Sequence, residues 1–393
     1  MSSSRVQKFL PGIPKGQKLY WRPSEIPTSA LLLLALAAIA ALIVVETFTR
    51  KEASDYYDEM LDASRLVQQS IETLRPVRGR IEPINPDVDP LRSGLIGVAS
   101  SAITTNSGDL ESKQATINPN WAAVAIRLLA EAGVEPGDHV AVAVSGSFPA
   151  LNLAVYAALE SMDVEPVAII SGSASQWGAN VPEFAWMDIA RELRDAELID
   201  MQAQAATLGG IEDRGIGLDE GGQDLIRQAA ERANIDLIVP DSYEDAVTQR
   251  IRIYNEGADG EPIAALVNVG GGTATTGPNS IDHYFGSGLI RTASSGAFRI
   301  PSVMGHFLQQ GTPVINFSGI RNLATQHDLP YPPHRMESVG SGGVYRAESY
   351  QRWLAALMII LLLGLTALIM RSANIALATG RSGRSKDAMK PKV

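Results

Sequence analysis

The sequence predicts an α/β fold, a Rossmann-like, mostly parallel sheet with helices on both faces, flanked by two transmembrane helices. Two observations carry that prediction. Short apolar runs such as "HVAVAV" (139–144), "PVAII" (166–170) and "IAALVNV" (263–269) alternate with amphipathic stretches, the pattern of strands buried on both faces and joined by crossover helices. Two uncharged segments, "PTSALLLLALAAIAALIVV" (27–45) and "WLAALMIILLLGLTALIM" (353–370), are about as long as a bilayer core requires.

Taken in order, the chain opens with a basic tail over 1–26 carrying Arg5, Lys8, Lys15, Lys18 and Arg22. The first span follows over 27–45. Its end, Val44-Val45-Glu46-Thr47, lacks the small-x-small pattern of a cleaved signal, so it reads as a retained anchor. Residues 46–93 read as a helical stalk with Tyr57, Leu61, Leu66 and Ile71 at helical spacing, then a proline-rich linker. The α/β domain is expected over 94–346. Helices are expected over 118–133, 149–160, 183–198, 222–233 and 243–255, and further strands over 236–240 and 312–317. The second span covers 353–370, and a basic tail over 371–393 carries Arg371, Arg381, Arg384, Lys386, Lys390 and Lys392.

Basic residues at both ends place both termini in the cytoplasm and the domain outside the cytoplasmic membrane, with Tyr20, Trp21 and Trp353 at the interfaces. The whole chain has a formal charge of −10; the tails hold about +9, which leaves about −19 between the spans. Such a domain repels nucleic acid at long range, so no nucleic-acid partner is expected. The absence of cysteine excludes disulfides, thiolate metal sites and a cysteine nucleophile.

In open parallel sheets, ligands bind at the carboxyl ends of the strands. The segments there are "SGS" (145–147), "SGSASQWGAN" (171–180), "DSYE" (241–244), "GGGTATTG" (270–277) and "SGI" (318–320); four of the five combine glycine with hydroxyl side chains. Candidate ligand-binding residues are therefore Ser145, Gly146, Ser147, Ser171, Ser173, Gly270, Gly271, Gly272 and Thr273. Ser147 reads as a cap for a helix with Pro149 in its first turn, with amides around Gly146 facing an anion or polar ligand. Tight turns use the same residues for conformational reasons, so each loop alone also reads as a turn.

"GGIEDRG" (209–215) could orient a ligand carboxylate through Arg214, or pair with itself. Trp177 and Trp186 read as pocket or packing residues. "GGGTATTG" is neither a Walker loop nor a complete dinucleotide fingerprint, so no cofactor is expected, and no histidine-carboxylate spacing suggests a metal. As nucleophiles, Ser145 and Ser147 sit at a strand-to-helix turn but lack G-x-S-x-G. Their candidate base is His283, in "DHYFGSG"; it and His306, His327 and His334 read more readily as surface or structural residues.

Five stretches, "GLIGVASSAITTNSGDLESKQATINPNWAA", "VAVSGSFPALNLAVYAALE", "SGSASQWGANVPEFAWMD", "GGIEDRG" and "VNVGGG", together resemble the poly-γ-glutamate system protein family. The resemblance covers about 94–330. It implies a membrane-anchored accessory protein beside the ligase and export components of poly-γ-glutamate production. An acidic domain would not adsorb a long stretch of that polyanion. The expected function is therefore binding of a polymer end, a short segment or a partner protein at the strand-end loops. Extracytoplasmic hydrolysis or transfer of the polymer is the alternative, and a scaffold for the synthase is the third reading.

Overall fold

The computed structural model describes residues 27–270, 272–278, 282–332 and 335–384. The N-terminal basic tail, Lys386, Lys390, Lys392, Gly271 and His334 lie outside these. The described residues form two compact units, one from the two ends of the chain (within Met1–Glu52 and Glu348–Val393) and one over Ala53–Ala347.

In the unit of chain ends, α1 (Thr28–Thr47) packs against α12 (Arg352–Arg384). Each contains a 20-residue stretch long and apolar enough to cross a membrane, Thr28–Thr47 and Arg352–Arg371. Leu31, Leu32, Leu36, Ile360 and Leu363 are more than half exposed, as side chains without a protein neighbour are. The Tyr350 hydroxyl donates to Glu46 Oε1 at 3.1 Å and Gln351 Nε2 to the Phe48 carbonyl at 2.8 Å.

The second unit is built on a seven-stranded sheet. Its strands are β3 (His139–Ser145), β4 (Glu165–Ser171), β6 (Ala205–Thr207), β7 (Leu237–Ile238), β8 (Ile263–Val269), β9 (Gly288–Ile290) and β10 (Val314–Phe317), in the order β7-β6-β4-β3-β8-β10-β9. All neighbours run parallel except β9, which pairs antiparallel with β10 at the edge. The order of connection reverses between β3 and β8, and such a switch point opens a crevice at the strand ends. Of the remaining short strands, β2 (Thr104–Asn106) pairs in parallel with β5 (Ala174–Ser175). The strands β1 (Arg50–Ala53) and β11 (Arg346–Ser349) fall where the chain passes between the units.

Strand alternation explains why both faces are covered. Val140, Val142 and Val144 of β3 join one core, whereas Ala141 and Ala143 join a second on the opposite face. The first core takes α4 (Trp121–Ala132), α5 (Pro149–Ser161), α6 (Trp186–Asp195), α7 (Glu220–Ala233) and α11 (Ile320–Gln326); the second takes α8 (Tyr243–Gly257) and α10 (Val303–Gln309). Trp186 is fully buried and meets Tyr156 edge-on at 5.3 Å, so it is a packing residue.

Two expectations change. The stretch expected as a stalk is α2 (Tyr57–Ile81), whose Met60, Ala63, Val67, Ile71 and Leu74 are at most 2% exposed and pack on α4 and α5. The apolar stripe that suggested a free-standing helix is what docks it into the domain. The strands β6 and β9 were not anticipated; each has three residues, too few for a readable alternation.

Candidate functional site

The three adjacent strands β3, β4 and β6 end in register. Ser145 lies opposite Ser171, and Ser171 opposite Thr207. Register-matched residues share one side of a sheet, so three hydroxyls form a row across the strand ends. On the fourth strand the row stops at Gly270, where an added Cβ would come 2.6 Å from Ser145 Oγ.

Above this row lies a cavity of about 290 Å³. Its hydroxyls come from Thr105, Ser145, Ser147, Ser171, Ser173 and Thr273, joined by Asn106 and by the backbone of Gly209, Gly210, Gly217 and Gly272. Ile211 and Ile216 form its apolar rim, 54% and 43% exposed. Among the described residues no lining side chain carries a charge. Neutral hydroxyls both donate and accept, so the cavity matches a small ligand rich in carbonyl, amide or carboxylate oxygen.

Of the sequence candidates, the structure thus brings Ser145, Ser147, Ser171, Ser173, Gly272 and Thr273 around one cavity. Gly146 is placed otherwise. Its N–H points to the Ser171 and Ser173 carbonyls at 3.3 and 3.2 Å, and a Cβ there would sit 2.9 Å from the Ala174 Cβ. The glycine lets two loops pack back to back and does not offer its amide to a ligand. Ser147 does not cap α5: the N-cap residue is Phe148, and Ser147 Oγ accepts from Ser175 N at 3.2 Å. Pro149 does open the helix, where its missing N–H costs nothing.

Arg214 is absent from the lining and pairs with Glu212 at 3.1 Å, the self-paired alternative. His283 lies in a single turn of 3₁₀-helix, Asp282–Tyr284, its ring 4.1 Å from that of Tyr284, and also outside the lining. Ser145 Oγ accepts from Ser147 N at 3.3 Å. Among the described residues no histidine lines the cavity, so the structure shows no triad base beside Ser145 or Ser147. Trp177 packs against the larger core. Among the described residues no cluster of three His, Asp or Glu could hold a metal.

Beneath the hydroxyl row lies a buried ion pair that the sequence reading missed. Asp213 and Arg250 are 0% and 1% exposed, and Arg250 Nε donates to Asp213 Oδ2 at 2.5 Å. Ser171 Oγ and Thr207 Oγ1 each donate to Asp213 Oδ1 at 3.1 Å, and Arg250 Nη2 reaches Ser171 Oγ at 2.8 Å. The pair therefore ties the row to α8 below and to the 209–217 loop above. That loop needs a tie: Glu212 and Asp213 both hold φ of 61°, a left-handed conformation costly for residues with a Cβ. The signal was present, since Arg250 falls on the buried stripe Ala246, Val247, Tyr254 of α8. A charge on an apolar helix face implies a buried partner.

A second missed residue is Lys113 on α3 (Leu110–Ala115), 2% exposed behind the Ser147 wall. Its Nζ donates to the Ser147 carbonyl and, at 2.8 Å, to Ser175 Oγ, and lies 3.7 Å above the Phe148 ring. Burial pulls its pKa down to about 7, against an opposing pull from Asp109. In sequence, "DLESKQA" reads as a solvated helix turn and gives no sign of this burial.

No family model, curated protein or solved structure matches the chain significantly, so the fold and the cavity stand on their own geometry.

Proposed function

We propose that the chain is an accessory protein of a poly-γ-glutamate synthesis or export system, anchored in the cytoplasmic membrane by its two apolar helices. Its doubly wound, Rossmann-like domain lies outside and binds the end or a short segment of the polymer in the strand-end cavity. The family resemblance supplies the system. The carrying observation for the site is that six hydroxyls from four separate segments line one cavity, with no charged side chain among its described lining residues. At about 290 Å³ it is at the small end of ligand sites, ~300–1,000 Å³, which suits a short segment better than a long polymer. The acidic domain also disfavours a long polyanion, by charge repulsion. A triad hydrolase is less well supported, because no histidine among the described residues lines the cavity beside its serines.

The test is calorimetry on the full chain in detergent micelles with γ-linked di- and triglutamate. Ser145→Ala removes one wall hydroxyl whose oxygen accepts from Ser147 N. It should weaken binding several-fold, the worth of one hydrogen bond at about 0.5–1.5 kcal/mol. Absence of binding to the unaltered protein, or equal affinity in the variant, would reject this reading.

A further inference from the structure

A γ-linked glutamate carries carboxylates, yet no lining side chain of the cavity is cationic. A carboxylate drawn from water into such a site is destabilised unless a positive charge lies nearby. We infer that Lys113, standing behind the Ser147 wall, is the counter-charge that selects a carboxylate ligand, and that ligand binding draws a proton onto its amine. This inference rests on the proposed binding of γ-glutamyl segments and names how the site tells an acid from its amide.

The geometry is specific. The lysine stem runs under the wall, and the ammonium is anchored at three points that favour its charged form: the Ser147 carbonyl, the Ser175 hydroxyl and the Phe148 ring face. Ser147 lines the cavity, so one residue separates the nitrogen from the ligand space. In such a partly dry site a charge is felt across several ångströms, far more than at an exposed surface.

Other groups around the amine do not compete as proton acceptors near neutral pH. On its own segment, Asp109 is held below the usual carboxylate range by hydrogen bonds from Ser112, and Glu111 pairs with Arg321 of α11 at 3.0 Å. Tyr331 approaches from the C-terminal side, donates to Asp109 at 3.0 Å, and is raised above its ordinary value by burial. The β5 side and the β3-α5 loop contribute Ser175, Ser147 and Phe148, none of which titrates in this range. With its pKa lowered by burial to about 7, the free amine is partly neutral at physiological pH. A carboxylate in the cavity raises that pKa, so binding takes up a proton and tightens as pH falls.

The experiment uses the full chain in micelles and two probes, N-acetylated γ-linked diglutamate and its fully amidated counterpart. The acetyl group removes the ligand's own amine from the titration. For the acid, affinity should fall several-fold from pH 6.5 to pH 9, approaching the roughly tenfold limit that one pKa unit of linkage sets. Calorimetry in buffers of different ionisation enthalpy should show uptake of a fraction of a proton at pH 7.5. The amide should show neither effect. Lys113→Met should abolish both the acid's advantage and its pH slope. Lys113→Arg, which keeps a charge that does not titrate, should retain the advantage and lose the slope, and serves if the Met variant does not fold. Tight binding of both probes without pH slope would overturn this inference and leave the binding proposal standing. Binding of neither probe would overturn both.

Discussion

Replacing Asp213 with asparagine isolates the charge of the buried pair from everything else at that position. Asparagine tolerates the left-handed backbone that Asp213 adopts at φ 61°, and its side chain has nearly the same shape. What disappears is the negative charge facing Arg250, which is 1% exposed. Breaking a buried pair by neutralising one partner costs about 3–5 kcal/mol, because the remaining charge stays desolvated. The Ser171 and Thr207 hydroxyls could still reach the amide oxygen, which puts the expected loss at the lower end of that range. At about 2–4 °C per kcal/mol for a domain of 150–250 residues, and somewhat less for a larger one, the melting point should drop by roughly 5–10 °C. Urea unfolding should show a lower midpoint at unchanged slope. The double variant Asp213→Asn with Arg250→Met should recover part of the loss, since no unpaired charge is then left inside. A drop under about 2 °C, or strict additivity in the double variant, would refute the claim that this pair ties the hydroxyl row to α8.

Gly146→Val should destabilise the domain through the 2.9 Å approach to Ala174, and the loss should appear in a melting curve whether or not ligand is added. Gly209→Ala combines a φ of 72° with a Cβ only 2.4 Å from Ser173 Oγ; it should cost at least the ~1–2 kcal/mol of a left-handed residue, read by urea denaturation. Burial depresses the pKa of His327 to about 4, so its neutral form is favoured in the fold. The stability this contributes is full above the unfolded value near 6.5 and lost as pH falls towards 4; His327→Gln should therefore lose less stability than the parent between pH 7 and pH 4. A reporter active only outside the cytoplasm should work when inserted at the exposed turn between Pro86 and Asp87 and fail at Val393; activity at Val393 would reverse the proposed topology.

The strands were legible because a parallel strand covered on both faces is an unbroken apolar run, and β3, β4 and β8 each begin and end within a residue or so of the expected limits. The hydroxyls at their ends were legible too, as residue types at the positions where such sheets hold ligands. Their mutual placement was not. Ser145, Ser171 and Thr207 become one row only through register, and register is set by side-chain burial on both faces of three strands at once. The role assigned to Gly146 failed for a related reason: a glycine that admits a ligand and one that admits a neighbouring loop read alike in sequence. Thr105 and Asn106 reach the cavity by pairing β2 with β5, a contact across some 70 residues of chain with no local signature.

Arg250 and Lys113, two of the buried cations, show why the site's electrostatics had to come from the fold. Arg250 is neutralised inside the domain by Asp213, so its charge is spent on holding the loop and the hydroxyl row together. The Lys113 amine contacts a carbonyl, a hydroxyl and a ring, which orient an ammonium, and Asp109 adds a pull that favours its charge. On the proposed reading, a domain of about −19 with a protonatable amine behind a neutral wall repels a polyanion at range and accepts a single carboxylate at contact. That combination favours a chain end over a chain middle, because at an end one carboxylate can enter while its neighbours stay in water. Raising the salt concentration should therefore weaken long-range repulsion and leave the contact with Lys113 nearly unchanged, since screening acts over about 10 Å at 0.1 M and little within a buried site. Association of a γ-linked oligomer should accordingly become faster with salt while its dissociation rate stays constant, and slower association would contradict the repulsive part of this account.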